Sequence, residues 1–74
     1  MPRYFFHVRD SSDMPDHEGT ELPGPEEARA QAVVASAEAI KDLGRRFWNS
    51  GEWQMVVTDE AGATVCVLRF FGMH

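Results

Sequence analysis

The residues best suited to chemistry fall in one polar stretch. Asp10, Asp13, Asp16, His17 and Glu18 offer carboxylate oxygens and an imidazole of the kind a divalent cation takes. The spacing is not that of an EF-hand, because the glycine and the terminal glutamate of that loop do not fall together where it requires them. The stretch reads as a solvated turn, with Asp16 and Gly19 as turn-formers leading into a strand, and no metal is assigned to it. His7, His17 and His74 are scattered along the chain and define no shared geometry. His7 reads as a strand histidine at an interface or exposed edge. Cys66 alternates with apolar neighbours and reads as a buried, inert thiol, since a nucleophilic cysteine needs a base or a positive environment beside it. The six glycines are isolated and build no phosphate-binding loop. With no nucleophile, base and orienting group in one pattern, the chain is expected to be no enzyme and to need no cofactor.

Aromatic residues carry a second kind of chemistry. Tyr4, Phe5 and Phe6 beside Arg3 and Arg9 resemble a stacking platform for single-stranded nucleic acid. Strand alternation, however, sends Tyr4 and Phe6 inward and leaves only Phe5 outside. Twelve acids against seven Lys and Arg give a net charge of −5, the wrong sign for holding a phosphate backbone. A nucleic-acid-binding domain using the sheet face is therefore the alternative reading. The charge is uneven: seven acids and no Lys or Arg lie between Asp10 and Glu27, so one side of the molecule is acidic.

The elements that must position these residues follow from periodicity. Pro23-Gly24-Pro25-Glu26-Glu27 marks a helix start, with Pro25 at the first helical position and the glutamates at the positive end of the dipole. Ala28, Ala32, Ala35, Ala39, Leu43 and Phe47 recur at helical spacing, widened by Val33 and Ile40. Gly44 is a weak point where the helix can end and resume as a separate turn. Continuity to Arg46 or Trp48 is the preferred expectation, with Asn49-Ser50-Gly51 as the stop. Before the helix, Arg3 to Arg9 alternates as a strand, and Gly19 to Leu22 has room for a brief return strand. After it, Trp53 to Thr58 and Ala63 to Phe71 form a hairpin through Asp59-Glu60-Ala61-Gly62.

These elements make one α+β domain over residues 1–74, a two-layer β-β-α-β-β sandwich with one long helix on a four-stranded, mostly antiparallel sheet. One helix covers one face. The covered face takes Tyr4, Phe6, Val8, Trp53, Met55, Val57, Cys66, Leu68 and Phe70. The open face takes Phe5, His7, Val56, Val65 and Val67, which is too apolar for a solvated surface. A chain of 74 residues buries only about 60% of its unfolded surface, and one cysteine cannot form an internal disulfide. Self-association through the open face or a free sheet edge, or another protein partner, is therefore expected. With neither a secretory signal nor a membrane-spanning stretch, the expected location is the cytoplasm and no membrane partner is implied.

Met1 to Val8 (Met-Pro-Arg-Tyr-Phe-Phe-His-Val), Gly19 to Pro23, Glu27 to Ala30 and Trp53 to Gly62 together resemble the DUF6894 family of small bacterial domains, found largely in alphaproteobacteria. The resemblance spans nearly the whole chain and implies a soluble bacterial domain without implying a reaction, a ligand or a catalytic residue. Residues 45–50 are more aromatic than the family pattern. The order of hairpin, acidic loop, Pro-Gly and an alanine-rich helix is also similar to the HicB-type antitoxins, which bind a toxin partner. That likeness implies a regulatory or antitoxin-like binding role.

Overall fold

The computed structural model describes all of residues 1–74. Strand β1 (Arg3–Arg9) is followed by two short strands, β2 (Asp13–Met14) and β3 (Thr20–Glu21), then by helix α1 (Pro25–Leu43). A 3₁₀ segment (Gly44–Asn49) leads into strands β4 (Glu52–Thr58) and β5 (Thr64–Phe71). The architecture is α+β, one long helix on an antiparallel, five-stranded open sheet. Both β2 and β3 pair along one side of β1, β4 pairs along the other, and β5 lies outermost beyond β4. The fifth strand arises because the polar loop turns back through residues 10–12 and Asp13 and Met14 pair briefly with Arg9 and Val8 before the expected return strand forms.

The helix begins where the Pro-Gly-Pro-Glu-Glu pattern places it. Gly24 is extended at the N-cap, Pro25 opens the first turn, and the carbonyl of Gly24 accepts the first helical bond from Ala28 N–H at 3.1 Å. Its end corrects the expectation of continuity. Gly44 takes φ +53 and gives its N–H to the Ile40 carbonyl, closing the helix at Leu43. The left-handed conformation is the one glycine reaches without steric cost, so the chain uses Gly44 as a stop and continues as 3₁₀.

The inner layer is narrow. Ala28, Ala32 and Ser36, four residues apart, are buried against Trp53, Met55 and Val57 of β4, with Tyr4 from β1 beside them. Small residues on that stripe bring the helix backbone close to the sheet. Ser36 completes the stripe although it is polar, and its hydroxyl donates to Met55 Sδ at 3.5 Å. Val33, expected to widen the apolar stripe, is instead 57% exposed, on the helix flank. No helix is long and apolar enough to cross a membrane.

The closing hairpin turns through Asp59. Its Oδ1 accepts from the N–H groups of Ala61 and Ala63 at 2.9 Å each, and Gly62, at φ +83, donates to the Asp59 carbonyl. This is a type I turn ended by a left-handed glycine. Beyond it the ladder slips by one residue: Thr58 pairs with Thr64 and Val57 with Cys66, so Val65 is the extra residue of a β-bulge.

Candidate interaction surface

Strand register sets out the face that the helix leaves free. Arg3, Phe5, His7 and Arg9 of β1 alternate onto it. Phe5 lies beside Thr58, His7 beside Val56, and Arg9 beside Gln54. Val56 continues to Val67 of β5, Gln54 to Arg69 and Glu52 to Phe71. The structure thus brings together Phe5, His7, Val56 and Val67. Val65 is not among them: the bulge turns it toward the helix side, where it packs against the buried cluster. Phe71, 68% exposed, belongs to this face, and extending the alternation of Val67 and Arg69 by one step reaches it.

The β1 end of this face is covered by the chain itself. Segment Asp16–Gly19 folds against Phe5 and His7. The Asp16 N–H donates to His7 Nδ1 at 3.1 Å, and His7 Nε2 lies 3.0 Å from Thr58 Oγ1. A ring nitrogen that accepts carries no proton, so the neutral imidazole holds its proton on Nε2 and donates it to Thr58. His7 therefore ties the loop to β4. A Cβ on Gly19 would stand 2.8 Å from Phe5 Cε2, which shows how closely the loop backbone lies on that ring.

Asp16 organises the loop and closes the edge of β1. Its Oδ2 accepts from Phe6 N–H at 3.1 Å, between the places where β2 and β3 pair, and its Oδ1 accepts from Glu18 and Gly19 N–H at 3.1 Å each. Burial raises the pKa of this carboxyl, but the N–H donors of Gly19, Phe6 and Glu18, with the His7 ring beside it, outweigh it and hold the value below the ordinary one. A depressed folded pKa adds stability above the ordinary carboxylate range, and that stability is lost as pH falls through the depressed value. Asp16→Asn should remove it. Its amide nitrogen cannot accept from Phe6, and the expected loss is roughly 1 kcal/mol for this largely solvated group. Urea titrations from neutral to acid pH check this: the difference between native protein and variant should shrink as the native carboxyl protonates.

The cations on or beside this face are all engaged. Arg3 reaches Glu21 at 2.9 Å and the Glu18 carbonyl at 2.8 Å, Arg9 reaches Asp13 at 3.4 Å, and Arg69 reaches Glu52 at 3.6 Å. No three His, Cys, Asp or Glu side chains converge on a point that would hold a metal ion. Two surface clefts of about 110 and 210 Å³ share Asp10 and Glu52, and both fall short of the usual size of a small-molecule site, about 300 Å³ or more.

On the helix side, Cys66 and Leu68 are half-buried and Phe70 is 38% exposed, less covered than expected because β5 is the outer strand. Burial raises the Cys66 thiol pKa, opposed by the charge of Arg29 on the helix. Trp48, 48% exposed, meets Phe47 and His74 edge-on, with the Gly72 backbone against its ring.

The chain matches no curated protein and no solved structure. A family model described as a domain of unknown function, DUF6894, matches residues 3–72. With that match running from the start of β1 to just past the end of β5, the chain belongs to the DUF6894 family.

Proposed function

We propose that this chain is a protein-interaction module without a catalytic step of its own, and that its partner is a second copy of itself, met on the side of the sheet that carries Val56, Val67 and Phe71. The observation that carries the reading is the contrast between the two ends of the sheet. At β1 the chain covers its own aromatic and histidine side chains with the Asp16–Gly19 segment. At β5 nothing comparable lies over Val67 and Phe71, which are 46% and 68% exposed. For a domain this small, added apolar burial is a large fraction of stability, at roughly 25 cal/mol per Å² before the cost of association. The paired arginines support protein over nucleic acid, since a phosphate would have to displace Glu21, Asp13 or Glu52.

Light scattering across a dilution series tests the proposal. The native protein is expected to gain mass with concentration. Val67→Lys, which leaves the helix-side core intact and places a charge in the apolar patch, is expected to raise the dissociation constant roughly tenfold or more. A native protein that stays monomeric at millimolar concentration would remove the self-association reading.

A further inference from the structure

Strand β5 is the outermost strand of the sheet, eight residues long, and contains no proline and no lysine. Its outward backbone groups can be assigned from the ladder. Gly72 N–H donates to the Gly51 carbonyl at 2.9 Å, so 51 and 72 are a hydrogen-bonded pair. Antiparallel ladders alternate, which makes 53 with 70, 55 with 68 and 57 with 66 the bonded pairs toward β4. The amides and carbonyls of Val67, Arg69 and Phe71 therefore face away from the sheet, and no backbone or side-chain bond within the chain reaches them.

The opposite edge shows what a closed edge looks like in the same molecule. Along β1, pairing with β2 and β3 uses the outward groups at both ends, and Asp16 takes the Phe6 N–H between them. Natural sheets close, charge or bulge their edges to prevent pairing, and a long unclosed edge is a template for another strand. This chain closes one edge; on the other, the bulge at Val65 and the single charge of Arg69 still leave the regular stretch from Cys66 to Phe71 available.

We propose that two copies join through β5, antiparallel, about a two-fold axis at Leu68, so that one sheet runs unbroken through both. The inference rests on the self-association reading above and names its atoms. An antiparallel edge is self-complementary, which is what a closed two-fold dimer requires. Outward groups must meet outward groups, and the axis at Leu68 sets Val67 opposite Arg69 of the second copy and keeps the two arginines from facing each other.

Charge favours this edge. Thr64 to Phe71 contains no acid, whereas the run of acids beginning at Asp10 borders β1, so the acidic sides of the two copies lie at opposite ends of the joined sheet. The helix supplies a second contact. It packs on both β4 and β5, and Arg29, Val33 and Ile40 share one flank by their spacing. Arg29 acts on the Cys66 thiol, which places that flank on the β5 side. With strands about 4.8 Å apart, the helices of the two copies come to roughly 10 Å, a normal packing distance, and exposed Val33 and Phe70 gain a neighbour.

Two variants test the edge. Leu68 would face its counterpart in a non-hydrogen-bonded pair, where Cα atoms lie about 4.5 Å apart, within disulfide range. Leu68→Cys with Cys66→Ser is expected to oxidise to a covalent dimer at micromolar concentration. The second variant keeps every side chain: ligation of a synthetic Cys66–His74 peptide places an N-methyl group on Arg69, whose N–H is unused inside the chain. Two-fold symmetry then removes two hydrogen bonds, and the dissociation constant should rise roughly ten- to a hundredfold with unchanged circular dichroism. A native protein that dimerises while the N-methyl variant dimerises equally well and residue 68 does not cross-link would overturn the edge and leave self-association standing. A monomeric native protein would overturn both.

Discussion

Trp53→Ala is expected to leave the chain largely unfolded at room temperature. Trp53 is 2% exposed, sits in β4 with strands on both sides, and meets the ring of Phe70 edge-on at 5.8 Å. Removing so large a buried side chain costs about 3–5 kcal/mol in transfer and cavity terms. A domain of this size has a stability of about 5 kcal/mol, so the substitution consumes most of it. Far-ultraviolet circular dichroism with urea titration checks the result. A cooperative transition near the native midpoint would mean that the core lies elsewhere.

Gly19→Ala should be nearly as damaging, although residue 19 is only half-buried and lies in a loop. Its φ of +72 is left-handed, and an added Cβ would stand 2.8 Å from Arg3 Cγ, 2.8 Å from Phe5 Cε2 and 2.9 Å from the Tyr4 carbonyl oxygen. The side-chain atoms can move, but the carbonyl belongs to β1 and cannot. The left-handed backbone and the overpacking together cost about 2–4 kcal/mol. The loop is expected to lift from β1 before the core fails, releasing the Phe6 N–H from Asp16 and the His7 ring from the Asp16 N–H. Amide exchange at Phe6 should accelerate more than at Val57. Equal protection at both positions in variant and native protein would show that the loop does not depend on this glycine.

Both results bear on self-association, because the loop held by Gly19 is what closes the β1 edge. A chain with that loop displaced presents two open edges instead of one, and a sheet with two open edges propagates rather than stopping at a dimer. In the proposed dimer, the arrangement of Asp16, His7 and Gly19 is the device that limits pairing to β5.

Much of this was legible in order along the chain. The Pro25 start, the alternation of β1 and of β4, and the Asp59–Gly62 turn are local patterns, in which each residue's preference agrees with its neighbours'. That agreement was enough to place Phe5, His7, Val56 and Val67 on one face and Trp53, Met55 and Val57 on the other. It failed at Gly44, where the weighing of helix propensity favoured continuity and the chain used the glycine's left-handed freedom to stop. It failed again at Val65, because a single inserted residue shifts the phase of alternation and nothing in the local pattern marks the slip. Ser36 went unseen among the core residues because its type is polar, although its spacing from Ala28 and Ala32 placed it there.

Sequence by itself determined the one long helix and the three long strands, the direction in which most strand side chains point, the acidic run beside β1 and the family resemblance. Each of these depends on composition or on residues a few positions apart. Only the tertiary structure decided which strand is outermost, which edge is closed, and that the Asp16 carboxylate is the centre of the acidic loop's hydrogen bonding. These depend on pairings such as Phe5 with Thr58, separated by most of the chain, and on a carboxylate meeting an amide ten residues away. Long-range pairing is selected by the burial of the whole sheet against the helix, and no short window of residues carries that information.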